Sequence, residues 1–454
     1  MLFRSTIAPK TWDGWIYYAD GTYYLYYLIS DRYVCDGFAV ATSSDGVRWR
    51  DRGWVLRHSD QMVRYLAFGS LWPNLDPAAG GRYLCNYSEW RMEQGRNVQS
   101  LYFATSDDLL TWTKMGDDLA FRIDERYYKR IEPNPRGPWE DPRWDGMCVV
   151  PAAGGGYHGY WTATPRENLG FGYGTSPDGL HWTAGPPVRM EWGNVPPMIF
   201  CEVGGVRRIG DRYHAMLADY ATTQCGMFSL VADDPRGPFR PSKRNYRLLQ
   251  NTVRMHAYFS RFVESPDGLL VTHHTIAEGD FSQPHYVVYY APLKKAVIID
   301  DCLYLAWWRG NDALRSSPID LPVNAAELPF EPARGILVDC VARFPSRLSI
   351  ERDGTSTVIL VRDDSTVEIG SASSPAGAFA CEERIDREIA FEYPRRLRLL
   401  VRHTMLEFYI NDILIQCYTM PTPATGRVSW AGVEEPTGWH WPPVTNMDRA
   451  DEEV

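Results

Sequence analysis

Two short patterns recur along the first part of the chain, interleaved and in phase, and together they constrain the fold more than any other feature. The first is a Ser/Thr–Asp turn leading into a Trp: Ser43–Trp49 (SSDGVRW), Thr105–Trp112 (TSDDLLTW) and Thr175–Trp182 (TSPDGLHW). An Asp stands four residues before each Trp, at Asp45, Asp108 and Asp178, and ADDPRGPF, ending at Phe239, reads as a degenerate fourth copy. The second pattern is a Gly turn opening an aromatic, alternating strand, at Gly21 (GTYYLYYL), Gly81 (GRYLCNYS), Gly156 (GYHGYWTA), Gly210 (GDRYHAML) and Gly268 (GLLVTHHT). Turn residues followed by period-two aromatic runs are strand signals, and no long helical periodicity competes with them. Five copies at steps of 60, 75, 54 and 58 residues predict a propeller of five four-stranded blades over residues 1–305.

The repeats stop after VIIDDCLYLAWWRG. Residues 306–335, punctuated by Pro, read as a linker, and 336–440 read as a β-sandwich of alternating strands such as RLRLLVRH, with Asn411–Asp412 as a hairpin turn. Residues 441–454 form an acidic tail. The fold class is therefore all-β: a five-bladed β-propeller followed by a C-terminal β-sandwich.

Aromatic residues make up 13% of the 454, with 17 Trp and 27 Tyr. Such rings favour strands and also offer flat faces to sugars. A net charge of −10 with no clustered basic surface excludes a nucleic-acid partner. No apolar run is long enough to span a membrane, and the opening MLFRSTIAPK has no leader-like apolar core, so the expectation is an intracellular protein, or a secreted one if a leader was removed. The nine cysteines are scattered singly, which reads as reduced, mostly buried thiols, and no spacing suggests a metal or other cofactor. His181, His214, His273 and His274 sit in strand-like contexts without ligand spacing, and most of them read as structural.

A propeller binds ligands at the mouth of its channel, where the innermost strand of each blade begins. Three acids fall near such positions within apolar or aromatic sequence: Asp13 in KTWDGWIYY, Asp141 in GPWEDPRW and Glu202 in PPMIFCEVGG. Two carboxylates facing one bond are what glycoside cleavage requires. Glu202, between Cys201 and a Gly pair, is expected to be poorly solvated, which raises a carboxyl pKa and suits a general acid. Trp12, Trp15, Trp72, Trp139 and Trp144 are candidate stacking walls, and His256 is the His best placed for the site.

The order WD…GTYYLYY…SSDGVRW…FGSLW…WEDPRW…FCEVGG resembles glycoside hydrolase family 32, the invertase, inulinase and levanase group, whose propeller is similar to those of families 68, 43 and 62. The resemblance makes Asp13 the counterpart of the nucleophile, Asp141 that of the Asp of an Arg-Asp-Pro motif, and Glu202 that of the acid/base. FGSLW, with Phe68, Ser70 and Trp72, resembles a Phe-Ser-Gly-Ser segment of the sugar site, and Glu140 and Arg143 flank the second motif. The resemblance implies a retaining glycoside hydrolase, or a transglycosidase, that cleaves a furanoside in an oligosaccharide or small glycoside substrate. The chain departs from the family at the Asn before and the Pro-Asn after the nucleophile, at Glu140 in place of Arg, and at Val203 in place of Pro. Two alternatives stand beside this reading: an inverting, family 43-like arabinofuranosidase or xylosidase, and a catalytically inert carbohydrate-binding propeller.

Overall fold

The computed structural model describes residues 5, 7, 10–30, 35–77, 80–93, 95–130, 143–167, 169–198, 201–219, 226–250, 257–278, 287–322 and 325–442. The fold is all-β and propeller-like, with a C-terminal sheet. Four antiparallel sheets follow one another. The first runs Lys10–Ala19, Thr22–Ser30, Gly37–Ser43, Arg50–Arg57, and the second Met62–Pro73, Tyr83–Glu93, Arg96–Ser106, Thr113–Lys114. The third runs Trp144–Pro151, Tyr157–Ala163, Gly172–Ser176, Thr183–Ala184, and the fourth Glu202–Ile209, Arg212–Asp219, Gly226–Ala232, Arg240–Pro241, with Arg247–Gln250 added beside Gly226–Ala232.

Both sequence repeats have local causes. The five glycines of the hairpin pattern all adopt positive φ, from 61° at Gly210 to 99° at Gly268, the left-handed conformation that a tight hairpin needs and side chains resist. In the Ser/Thr–Asp turns the carboxylate caps the following backbone. Asp45 Oδ1 accepts from the N–H groups of Val47 and Arg48 at 2.8 and 2.7 Å, Asp108 Oδ1 from Leu110 and Thr111 at 2.8 and 2.7 Å, and Asp178 Oδ1 from Leu180 and His181 at 2.9 and 2.8 Å. These acids therefore hold turns, and the aromatic residues that follow, Trp49 and Trp112, are buried.

The five repeats lead to an expectation of five separate blades, but the described residues form four separate sheets. The strands Ala257–Ser265, Gly268–Glu278, Lys294–Ile299 and Cys302–Trp307 do not close on themselves. Ala306 pairs with Ile413, so the Cys302–Trp307 strand continues into Ile413–Thr419 and a fifteen-stranded sheet that holds the C-terminal strands. A free edge would leave a row of unpaired backbone groups, and this one pair joins that edge to the C-terminal strands. The inner strands still surround a common axis: Lys10–Ala19 packs against both Met62–Pro73 and Ala257–Ser265, and Glu202–Ile209 against both Trp144–Pro151 and Ala257–Ser265.

Seven of the eight described cysteines are buried, Cys381 is exposed, and all eight are free thiols. Among the described residues no helix is long and apolar enough to cross a membrane.

Candidate active site

The acids of interest sit where the ladders of the inner strands slip. Each inner strand carries a register shift near its start: Trp12/Gly14 in the first sheet, Met62/Leu66 in the second, Val203/Gly205 in the fourth and Tyr258/Arg261 in the Ala257–Ser265 strand. In the third, Tyr160 faces Cys148 while Thr162 faces Asp145, so the extra residue lies on the inner strand. A bulge turns a side chain out of strict alternation, and repeated bulges aim several side chains at one point.

That point is a small cavity bordered by Trp12, Asp13, Tyr65, Phe68, Arg143, Asp145, Thr162, Glu202, Phe259 and Arg261. Three carboxylates and two guanidiniums meet there, all largely buried. The Asp13 and Glu202 side chains are 14% and 12% exposed. Arg143 bridges two of the acids, donating from Nη2 to Asp145 Oδ2 at 2.6 Å and to Glu202 Oε1 at 3.0 Å. Tyr258 donates its hydroxyl to Glu202 Oε2. Asp145 also accepts from Ser88 Oγ and, at 3.2 Å, from the Tyr65 hydroxyl. Asp13 differs: its Oδ1 is buried with no hydrogen-bond partner among the described residues.

Burial, opposed by Arg261 and reinforced by Glu202, raises the Asp13 carboxyl from its usual range to about 8. Burial also raises Glu202, against the pull of Arg143. The expected elevation of Glu202 is present, and Asp13 carries one as well. His274 Nδ1 lies 3.9 Å from Asp13 Oδ1, a distance that would suit an ion pair. Burial and the nearby Arg261 hold that imidazole down to about 3, however, so it faces Asp13 as a neutral ring, packed 4.6 Å from the Trp12 ring.

The structure gathers some of the predicted residues and disperses others. Trp12, Asp13, Phe68, Arg143 and Glu202 border the cavity. Trp15 lies beneath it, its ring 4.7 Å from the Arg261 guanidinium. Ser70 instead joins the second and third sheets, donating to Met147 O at 2.8 Å and accepting from Val149 N at 3.2 Å. Trp72 packs on Phe103 and Trp182, and Trp144 on Phe121 and Trp161, so both fill the blade core rather than a sugar wall. Trp139, Glu140, Asp141 and His256 lie outside the described residues.

Sequence reasoning missed Asp145, Tyr65, Tyr258, Phe259 and Arg261, and did not single out His274 for the site. One signal was present: Trp12-Asp13-Gly14 recurs as Trp144-Asp145-Gly146, the same tripeptide near the start of two inner strands. A roomier hollow, about 860 Å³, lies along Tyr127, Arg166, Arg189 and Trp192. It gathers no group of desolvated acids, so the chemistry is assigned to the smaller cavity.

No family model matches the chain, and no curated protein matches it in sequence. Solved structures do match in fold. Sucrose-6-phosphate hydrolase from Lactobacillus gasseri aligns over 93% of this chain and 89% of its own, with TM-score 0.67 and 15% identity. Fructan 1-exohydrolase IIa from Cichorium intybus aligns over 96% of each chain, with TM-score 0.63 and 13% identity. The GH32 β-fructofuranosidase BmSUC1 of Bombyx mori aligns over 94% of this chain and 90% of its own, with TM-score 0.63 and 10% identity. Over nearly its whole length, then, the chain is similar in fold to enzymes of glycoside hydrolase family 32.

Proposed function

We propose that this protein is a glycoside hydrolase that cleaves a furanoside by a retaining mechanism, with Asp13 as nucleophile and Glu202 as acid/base. The observation that carries the reading is the meeting of Asp13, Asp145 and Glu202, from three different sheets and all largely buried, around one cavity. Structural acids end in turns or ion pairs, as Asp45, Asp108 and Asp178 do, whereas this cavity concentrates more negative than positive groups.

In the productive form Glu202 holds the proton and Asp13 is ionised. The Glu202 charge raises the Asp13 pKa, so protonating Glu202 eases the ionisation of Asp13. Asp13 then attacks the anomeric carbon while Glu202 protonates the departing oxygen. Glu202 next draws a proton from water, and the glycosyl–Asp13 ester is hydrolysed. Arg143, bonded to Glu202 Oε1, and Tyr258, on Oε2, fix the orientation of the acid/base. Asp141 keeps its proposed role with the sugar hydroxyls on the family resemblance. Trp12 and Phe68 offer ring faces to a furanose.

We read the strands from Ala257 to Trp307 as a fifth blade, with domain bounds near those of the sequence repeats. The two-sided packing of Ala257–Ser265 supports this reading. An oligosaccharide substrate is supported by related folds solved with sucrose, in a Bombyx mori fructofuranosidase mutant, and with 1-kestose, in a Cichorium intybus exohydrolase mutant.

The test is incubation of wild type and Glu202→Gln with sucrose, inulin, levan and nitrophenyl arabinofuranosides and xylosides, following the released anomer by NMR. The expected result is turnover with the anomeric configuration first retained, absent from the variant. A folded wild type inert on the whole panel overturns the reading, and a first-formed inverted anomer overturns the role of Asp13.

A further inference from the structure

Arg261 is not in any motif that pointed to the site, and its geometry is unusual. It is fully buried on the Ala257–Ser265 strand, just past the bulge at Tyr258/Arg261. It reaches across the axis to the second sheet, donating Nη1 to Gly69 O at 2.6 Å and Nη2 to Phe68 O at 3.1 Å. Its guanidinium lies 4.7 Å from the Trp15 ring and 4.4 Å from the Phe259 ring. Backbone carbonyls on one side and aromatic faces on the other hold it in place, and it borders the cavity with its Nε buried and without a partner among the described residues. A cation so fixed cannot swing away to pair with a surface acid, so its field falls on whatever faces it.

What faces it are acids from three elements: Asp13 on Lys10–Ala19, Asp145 on Trp144–Pro151 and Glu202 on Glu202–Ile209, with the Cys148 thiol also near. Arg143 is the second cation of the group, His274 is neutral, and the Tyr258 hydroxyl is bonded to Glu202. Three carboxylates against two guanidiniums leave one negative charge in excess, which one proton neutralises. We infer that Arg261 is a positioning residue: a fixed cation spanning the propeller axis that, facing the three acids, sets how many protons Asp13 and Glu202 hold between them. This role rests on the proposed function only for its kinetic readout. Burial, countered most by Asp13, lowers the guanidinium itself to about 10, so it stays charged through neutral pH.

The experiment reads protonation directly, by infrared titration of the protonated-carboxyl band in the full-length protein, with Asp13→Asn used to assign the Asp13 component. Replacing a nearby cation by a neutral group of similar size raises a carboxyl midpoint by about 1–3 pH units. Arg261→Met is therefore expected to move the Asp13 midpoint upward by at least about one unit, with Arg261→Lys restoring much of it. On a furanoside substrate the acid limb of kcat/KM should shift the same way, so that activity lost at neutral pH returns at higher pH. A purely structural role would lower activity equally at all pH values. Should Arg261→Met fail to fold, Asp145→Asn removes one of the three negative charges and is expected to lower the same midpoint. A folded Arg261→Met, or in its place Asp145→Asn, with an unmoved midpoint overturns the inference, even if the protein cleaves sugars. A shifted midpoint in a protein that cleaves none of the panel upholds the inference and counts against the proposed function.

Discussion

His273 and His274 are neighbours on one strand, and because strand side chains alternate, they face opposite ways into two buried acid clusters. Both imidazoles stand 3.9 Å from a carboxylate oxygen, His274 from Asp13 and His273 from Glu407, and burial pushes both pKa values down. There the likeness ends. Glu407 accepts from the Lys294 ammonium and, on Oε2 at 2.7 Å, from the Tyr409 hydroxyl, while Lys294 also donates to Pro292 O at 2.7 Å. One acid meets one cation, both side chains are wholly buried, and the pair stitches Lys294–Ile299 to Met405–Ile410 across the merged sheet. Asp13 has a buried oxygen without a partner among the described residues, is one of three acids facing two cations, and borders a cavity.

The contrast separates two uses of buried charge. A balanced, fully bonded pair offers a ligand nothing, and its main consequence is that neither partner can be removed cheaply. His273, Glu407 and Cys417 lie close enough together to hold a metal ion, yet the Lys294 ammonium already occupies the carboxylate, so this group does not favour one. The unbalanced cluster leaves Asp13 underbonded and holds the pKa values of Asp13 and Glu202 up, the state from which proton transfer and nucleophilic attack begin.

The largest effect should come from Glu202→Gln, which removes the proton donor and is expected to cut turnover by about 10²–10⁴-fold. Its denaturation midpoint should stay near wild type. If Glu407→Gln proves as damaging to turnover per folded molecule, the separation of the two clusters fails. Next is Lys294→Met, which strands Glu407 and should cost about 3–5 kcal/mol of stability, most of it recovered when Glu407 is also changed to Met. Urea unfolding of the single and double variants decides this, and a double variant as unstable as the single one would show that the pair is not a balanced unit.

Asp13→Asn tests the other cluster by the pH dependence of stability. In the wild type the Asp13 pKa rises from 3.8 to about 8 on folding, so folding takes up a proton between those values. Its contribution is fully present below about pH 4 and is lost as pH climbs through 8. The stability of wild type relative to Asp13→Asn should therefore fall across that window, and a flat difference would mean that Asp13 is as well paired as Glu407. The smallest effect belongs to a turn acid outside both clusters: Asp178→Ala, losing its bonds from Leu180 and His181, should cost about 1 kcal/mol and leave turnover unchanged.

Much of the architecture was legible because its causes are local. Gly at positive φ and Asp capping its own turn are decided by a few consecutive residues, so the repeats of Gly21 to Gly268 and of Asp45 to Asp178 announced strands, hairpins and their spacing. Asp13 and Glu202 were legible as acids in apolar sequence near strand starts. Trp72, Trp144 and Ser70 were misplaced because an aromatic ring or a hydroxyl in a strand carries no mark of which face it will occupy once a bulge shifts the register. Asp145 repeated the Trp-Asp-Gly of Asp13 and could have been found.

The sequence by itself determined the all-β repeat and the hairpins, which rest on interactions within a hairpin or a turn, and marked two acids of the cavity by their apolar setting near strand starts. Only the tertiary structure decided that Arg261 spans from one sheet to another, that Asp145 joins Asp13 and Glu202 through Arg143, and that the last repeat merges with the C-terminal sheet at Ala306 and Ile413. These depend on contacts between residues far apart in the chain, where the strength and even the sign of a charge's effect are set by burial and neighbours.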